Sequence, residues 1–363
     1  GGRGMGGGSG DGTCGVPRVD AREVSAAEFR ERFVRRGMPC VLAGLQEGWP
    51  AREKWTPAFF RDQHGDLPVA VARGANWGQM RLRDYVDRLG EAAAARAGGG
   101  AEARAGDVAG IVGSDGAEGE TPYLRTWNFL DDLPELRRDF NPGAHFADLF
   151  KALPESMQPP FEWLFIGPAG SHTRLHVDVW GTDAWLAQLQ GLKRFTLFHP
   201  AHRKFLERDD GPGGACNWVD LRAPDAELFP DFAQAVAIET VLEPGEVIYL
   251  PRKWPHAVDG LTDTVSLTVN FMCPWSKNYV VPLLRKYAER RAMCEKVLGR
   301  SLKANDNAMK FCVHGGSIPL EMAKSILGAA GTLGQAGEEE EADDDGVQEG
   351  GGGSTTEGGG EGE

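Results

Sequence analysis

His176 and Asp178 lie two residues apart in Leu175-His176-Val177-Asp178-Val179, inside a stretch that reads as a strand over 173–179. Side chains alternate along a strand, so the imidazole and the carboxylate share one face, and Leu175, Val177 and Val179 share the other. A His and an Asp on one face look into a polar cavity and supply two of the ligands that a divalent metal takes there. The third candidate is His256, in Leu250-Pro251-Arg252-Lys253-Trp254-Pro255-His256-Ala257-Val258. Two His and one Asp occupy one face of an octahedron and leave three positions open. That suits Fe(II) when it must also bind a co-substrate and O2. The alternatives are a structural His–Asp hydrogen bond and a satisfied core histidine at 256.

Other strand faces carry matching residues. Thr264-Val265-Ser266-Leu267-Thr268-Val269-Asn270-Phe271 alternates, with Thr268 and Asn270 on one face and Val265, Leu267, Val269 and Phe271 on the other. The polar face is expected to line the cavity; the alternative is a solvent-facing side. Lys193 opens Lys193-Arg194-Phe195-Thr196-Leu197-Phe198. An ammonium helped by hydroxyls suits the distal carboxylate of a dicarboxylate co-substrate, although lysine also guards strand edges. His172, His199 and His202 lie in turns and read as non-ligands, and Trp185 and Trp254 read as core or cavity wall.

These elements must be held by a scaffold. Strands are expected at 163–167, 173–179, 184–190, 193–198, 238–242, 246–250, 256–260 and 264–272, separated by turn residues. Eight short strands in this pattern give a mainly β chain with flanking helices and the signature of a jelly roll. Before them, Ser25 and Glu28 form a capping box for a helix to about Arg35, Cys40-Val41-Leu42-Ala43 reads as a buried strand, and Thr56-Pro57 opens a second helix. Pro68–Ala72 reads as a strand, followed by a helix from Met80 to about Leu89.

The motifs resemble the JmjC class of 2-oxoglutarate oxygenases. Within it they resemble the jumonji-domain lysyl hydroxylase/arginine demethylase subgroup, once described as a phosphatidylserine receptor, and its plant relatives. The matching stretches are Gly48-Trp49-Pro50, Glu53-Lys54-Trp55-Thr56, Ile166-Gly167-Pro168, His176-Val177-Asp178, Gly181-Thr182-Asp183-Ala184-Trp185, Gln190-Gly191-Leu192-Lys193-Arg194, Pro244-Gly245-Glu246-Val247, Trp254-Pro255-His256 and Thr268-Val269-Asn270-Phe271. They run from about residue 20 to about 285. The resemblance implies a double-stranded β-helix of cupin-like JmjC type, with His176, Asp178 and His256 as Fe(II) ligands. It implies Lys193, Thr173, Thr268 and Tyr123 around the distal carboxylate of 2-oxoglutarate, and Asn270 near the iron. Thr173 has the wrong parity for the face of His176, so a bulge or turn is expected between them. The chain departs from the subgroup at Val179, where Pro is usual, at Leu186, where Asn is usual, and at Pro255, where an aromatic is usual. The implied activity is hydroxylation or oxidative demethylation of a protein side chain, Lys or Arg, with O2 consumed and succinate and CO2 released. An oxygenase acting on RNA or tRNA and a non-catalytic cupin-like binding module are the other classes.

Around this body the chain divides as 1–17, Gly-rich and disordered; 18–160, α/β elements packed on the core with a disordered insertion at 91–120; 161–275, the jelly-roll core; 276–330, C-terminal helices; and 331–363, a disordered acidic Gly/Glu tail. Residues 335–363 hold eleven acidic and no basic residues, so they carry most of the net charge of −14. The body is close to neutral, which argues against phosphate-driven nucleic-acid binding. Val280, Leu284, Tyr287, Cys294 and Leu298 form one stripe on a helix at 278–298, which packs on the domain or pairs with a second copy as a homodimer. The six cysteines form no CxxC pair, which fits a reducing compartment. With no membrane-length apolar run and no signal-peptide pattern, the expected location is nuclear or cytoplasmic.

Overall fold

The computed structural model describes residues 15–73, 76–98, 122–152, 159, 161–208 and 217–282. The Gly-rich start, most of the 91–120 insertion, the helices expected past residue 282 and the acidic tail lie outside them.

The strands, in chain order, are β1 (Arg18–Asp20), β2 (Cys40–Ala43), β3 (Pro68–Arg73), β4 (Asn76–Arg81), β5 (Leu124–Trp127), β6 (Glu162–Gly167), β7 (His172–His176), β8 (Asp183–Gln190), β9 (Lys193–Phe198), β10 (Glu207–Arg208), β11 (Asn217–Trp218), β12 (Ala237–Leu242), β13 (Val247–Leu250), β14 (His256–Gly260) and β15 (Thr264–Phe271). A large sheet runs β1-β2-β13-β8-β15-β6-β5, and a smaller one β12-β9-β14-β7. From β6 to β9, and again from β12 to β15, successive strands alternate between the sheets, so the chain winds as a jelly roll.

Strand alternation sorts the side chains into three layers. Ala184, Leu186, Ile248 and Leu250 of the large sheet meet Phe195, Leu197, Leu242 and Val258 of the small one between the sheets. The opposite face of the large sheet, with Trp185, Ala187, Tyr249, Val265, Leu267, Val269 and Phe271, is buried under the N-terminal elements. Their main contributors are Phe29 of α1 (Ala26–Phe29), Trp49 and Trp55 flanking α2 (Pro50–Lys54), Phe60 of α3 (Pro57–His64), and Phe129 and Phe146. Phe146 stacks on Trp185 at 5.6 Å. Leu175, Phe198 and Ala257, on the outer face of the small sheet, are covered by Leu206 and Val219.

The expected caps form. Ser25 accepts a hydrogen bond from Glu28 N at 3.1 Å, and Thr56 accepts one from Phe59 N at 3.0 Å. Five boundaries differ from expectation. The segment before Leu82 is strand β4, paired with β3 in a hairpin, and the helix that follows, α4 (Leu82–Gly98), runs on well past Leu89 into the supposed insertion. Ala92–Ala95 are the strongest helix formers and carry it on until the glycines begin. Val16, inside the segment expected to be disordered, is buried between the sheets. The helix expected from 278 already begins at 274. The strand expected to reach residue 179 stops at His176.

Candidate metal centre and co-substrate pocket

His176 ends β7 and His256 begins β14. The antiparallel register sets the two directly opposite, with ring centroids 4.3 Å apart. His176 Nδ1 lies 2.7 Å from the Arg174 carbonyl, and His256 Nδ1 lies 3.0 Å from the Trp254 carbonyl. Each contact satisfies Nδ1–H as a donor and leaves Nε2 as a free lone pair, the form a metal binds. Burial, and next the neighbouring His256, push the His176 pKa down to about 4 against the pull of Asp178, so the ring is neutral at physiological pH.

Asp178 reaches the same point by another route. It lies past the end of β7, at the start of a tight turn over Val179–Gly181. Trp180 in that turn has a φ of 59°, a left-handed conformation that costs a non-glycine residue about 1 kcal/mol. Thr182 Oγ1 donates to the Val179 carbonyl at 2.6 Å, and Asn270 Nδ2 donates to Thr182 Oγ1 at 2.9 Å. Asn270, on β15, therefore ties the Asp178 turn to the large sheet. One ligand atom from each of His176, Asp178 and His256 falls within 4.8 Å of the others. Two imidazoles and a carboxylate converging from one side form a donor set that fits a divalent metal.

Farther into the barrel, Lys193 lies on the same side of β9 as Phe195 and Leu197, and only 2% of its surface is exposed. Desolvation alone pulls its pKa down to about 7. Its ammonium donates to Tyr123 Oη at 3.5 Å and sits 5.1 Å from the centre of the Phe165 ring. Thr173 hydrogen-bonds the Tyr123 oxygen, whose own pKa burial raises. The expected bulge is present: His256 pairs with His176 but Val258 pairs with Thr173, so β7 carries one extra residue between them. Thr268 presents its hydroxyl to the interior, and among the described residues that buried oxygen has no partner. A buried ammonium with no carboxylate among the influences on it, beside an orphaned hydroxyl, fits a carboxylate ligand.

The structure thus brings His176, Asp178 and His256 together, and separately joins Lys193, Tyr123 and Thr173. Asn270 braces the turn that carries Asp178. Leu186 packs among the apolar residues between the sheets, and Val179 and Pro255 contribute backbone carbonyls, to Thr182 and to Phe198 N. His172 bonds Asp259, His199 accepts from Ala201 N and His202 accepts from Val236 N, so none of the three faces the site. Two supports were not legible in the sequence. Thr182 had no signal as an anchor, and Gly167 is required because a Cβ there would lie 2.6 Å from the Tyr123 ring. The bridge between Ala72 and Tyr123, which closes this side, crosses some fifty residues of chain.

A cupin-like domain model matches residues 26–275. This chain belongs to the cupin-like domain family. It is 28% identical over 271 residues to the arginine-specific demethylase JMJ22 of Arabidopsis thaliana, covering 73% of this chain and 48% of that protein. It is 28% identical over 276 residues to the bifunctional arginine demethylase and lysyl-hydroxylase psr-1 of Caenorhabditis briggsae, covering 70% and 61%. It is 24% identical over 287 residues to the 2-oxoglutarate and iron-dependent oxygenase JMJD4 of Mus musculus, covering 73% and 63%. The chain spans less than two thirds of the length of each. These relatives lie in the group that the motifs resemble. No helix among the described residues is long and apolar enough to cross a membrane.

Proposed function

We propose that this chain is an Fe(II)- and 2-oxoglutarate-dependent oxygenase that hydroxylates, or oxidatively demethylates, a Lys or Arg side chain of a protein. The observation that carries it is the buried Lys193 ammonium, bonded to Tyr123 and with no carboxylate partner among the described residues, inside the barrel that also holds the His176–Asp178–His256 cluster. The names of the relatives agree with it.

His176, Asp178 and His256 would hold the metal. Bound there, Fe(II) with 2-oxoglutarate and O2 supplies the oxidising power for C–H hydroxylation, with succinate and CO2 as products. The residues do the rest. Lys193 and Tyr123 bind and orient the distal carboxylate, with Thr173 holding the Tyr123 oxygen and Thr268 offering a further hydroxyl. Asn270 and Thr182 fix the Asp178 carboxylate in place. Phe195, Leu197 and Leu186 keep water from the interior. Demethylation would need the same hydroxylation on an N-methyl carbon, followed by loss of formaldehyde. A nuclear or cytoplasmic setting belongs to this proposal; the thiols of Cys40 and Cys273, free and buried, agree with a reducing one.

Incubation with Fe(II) and 2-oxoglutarate tests it, with mass spectrometry of Lys- and Arg-rich peptides as the readout. A mass gain of one oxygen, or loss of a methyl group, that depends on 2-oxoglutarate is expected. Absence of both succinate formation and iron binding would contradict it.

A further inference from the structure

The two turns that deliver the ligand cluster share a feature. Trp180, just after Asp178, has a φ of 59°, and Lys253, shortly before His256, has a φ of 67°. A left-handed conformation in a non-glycine residue persists where its surroundings hold it. Thr182 and Asn270 hold the Asp178 turn. The loop before His256 is held at its start by Asp183, the first residue of β8, which is 0% exposed.

Asp183 Oδ1 accepts from Arg252 N at 3.2 Å, immediately before Lys253, and from Tyr249 Oη at 2.6 Å. The Arg252 guanidinium lies 3.8 Å from the same oxygen. Asp183 Oδ2 accepts from the Cys273 thiol at 3.2 Å, and Ser276 Oγ donates to that sulfur at 3.3 Å. Burial, and next the Asp183 carboxylate, push the thiol up to about 12, so it remains a donor. One carboxylate thus joins the start of β8, Tyr249 of β13, the loop to His256 and the segment after β15. The second half of that loop is anchored elsewhere. Trp254 Nε1 donates to the Gly37 carbonyl at 2.8 Å, and the Pro255 carbonyl accepts from Phe198 N at 2.9 Å. An apolar side chain could fill the place of Asp183 at lower cost; the carboxylate adds directional contacts that fix the backbone at Arg252. Thr182 and Asp183 are adjacent, so both ligand turns are braced from one end of one strand.

We propose that Asp183 is a positioning residue for the metal centre. It sets the His256 loop against the strand that follows Asp178, and so fixes the spacing of those two ligands. It rests on the reading of His176, Asp178 and His256 as a metal site.

The test titrates the full chain with Co(II), whose visible absorption reports ligand geometry, below the unfolding temperature of each variant. Thermal midpoints are measured alongside. Asp183→Asn keeps the size of the side chain and should weaken Co(II) binding about 10- to 100-fold, with a changed visible spectrum. Tyr249→Phe keeps the charge and removes one donor to Asp183. It should weaken Co(II) severalfold, which separates position from the mere loss of a negative charge. Phe60→Leu is the stability control, because its ring packs on Trp55, Phe59 and Trp127 in the N-terminal layer. It should lower the midpoint and leave Co(II) affinity and spectrum unchanged. Unchanged Co(II) affinity in Asp183→Asn, or a loss no greater than that of Phe60→Leu at a matched fall in midpoint, overturns the proposal. So does unchanged affinity in Tyr249→Phe, because Asp183 would then act by charge alone. If Asp183→Asn does not fold, Tyr249→Phe decides by the same criteria. A parent that binds no Co(II) overturns the metal centre and the proposal with it. A parent that binds Co(II) no better than these variants overturns the proposal alone.

Discussion

Lys193 carries the chemical argument at the scale of single residues. An ammonium buried without a counter-charge is costly, and the interior lowers its pKa to about 7 instead of pairing it. The unfolded chain holds that proton up to a pH of about 10.4. Between those values the unfolded state binds the proton and the folded state does not, so stability of the ligand-free protein should rise with pH from about 7 and level off near 10.4. Below about 7 both states are protonated and the cost is present in full. In Lys193→Met that slope should vanish in denaturant titrations taken across this window. The same proton governs ligand binding. A carboxylate stabilises the charged form, so 2-oxoglutarate affinity should weaken as pH rises above about 7, by up to about tenfold per unit. Isothermal titration in buffers of different ionisation heat should show proton uptake on binding in that range. Lys193→Met should lose about 10- to 100-fold in affinity, the loss of a charge-assisted hydrogen bond, with iron binding retained. Equal affinity in mutant and parent would remove Lys193 from the pocket.

Turns and strand registers explain how the ligands meet. Asn270→Ala breaks the chain from β15 through Thr182 to the Val179 carbonyl, and so loosens the Asp178 turn. Metal affinity should fall about 10- to 100-fold in a competition assay against a chelating dye, with little change in thermal midpoint. An equal loss in midpoint and affinity would make Asn270 merely structural. Gly167→Ala puts a methyl group 2.6 Å from the Tyr123 ring and 2.8 Å from Ser171 Oγ. Tyr123 must then move from Lys193, so 2-oxoglutarate affinity should drop and stability should fall by about 1–3 kcal/mol; calorimetry reads both. At this scale the sequence was informative where a strand alternates and opaque where the chain bends. Thr268 and Asn270 face inward as period two requires. His176 and Asp178 converge for a different reason than shared strand parity, because the strand ends between them and Trp180 takes a left-handed turn. The bulge in β7 followed from the parity of Thr173. β4 was hidden because Asn76–Arg81 lacks an apolar alternation, and its strand exists through pairing with β3.

At the scale of the whole fold, the described N-terminal elements cover one face of the large sheet of the jelly roll. Val265, Leu267, Val269, Phe271, Trp185 and Tyr249 would be bare if the elements before residue 161 were removed. A fragment of residues 161–282 should therefore show no cooperative thermal transition by circular dichroism. A sharp transition would mean that the jelly roll folds alone. Phe146→Ala, which empties the contact with Trp185, Tyr249 and Phe271, should cost about 3–5 kcal/mol in the intact chain. The eight barrel strands were legible as short apolar or alternating runs set between turn residues. The layer that covers them was less so: its elements are short, and each is fixed by contact with a sheet far away in sequence. The Ala72–Tyr123 bridge shows this most clearly, because no local pattern marks where the chain returns to close the pocket.

In the proposed function, the His176–Asp178–His256 cluster and the Lys193 pocket work together on one co-substrate. Succinate formed from 2-oxoglutarate with added Fe(II) in air tests it most directly, comparing the parent with His256→Ala and Lys193→Met. The parent should form succinate; His256→Ala should form none at any 2-oxoglutarate concentration; Lys193→Met should recover turnover as 2-oxoglutarate is raised. Succinate formation by His256→Ala at the parent rate, or none by an iron-loaded parent, would contradict this joint role.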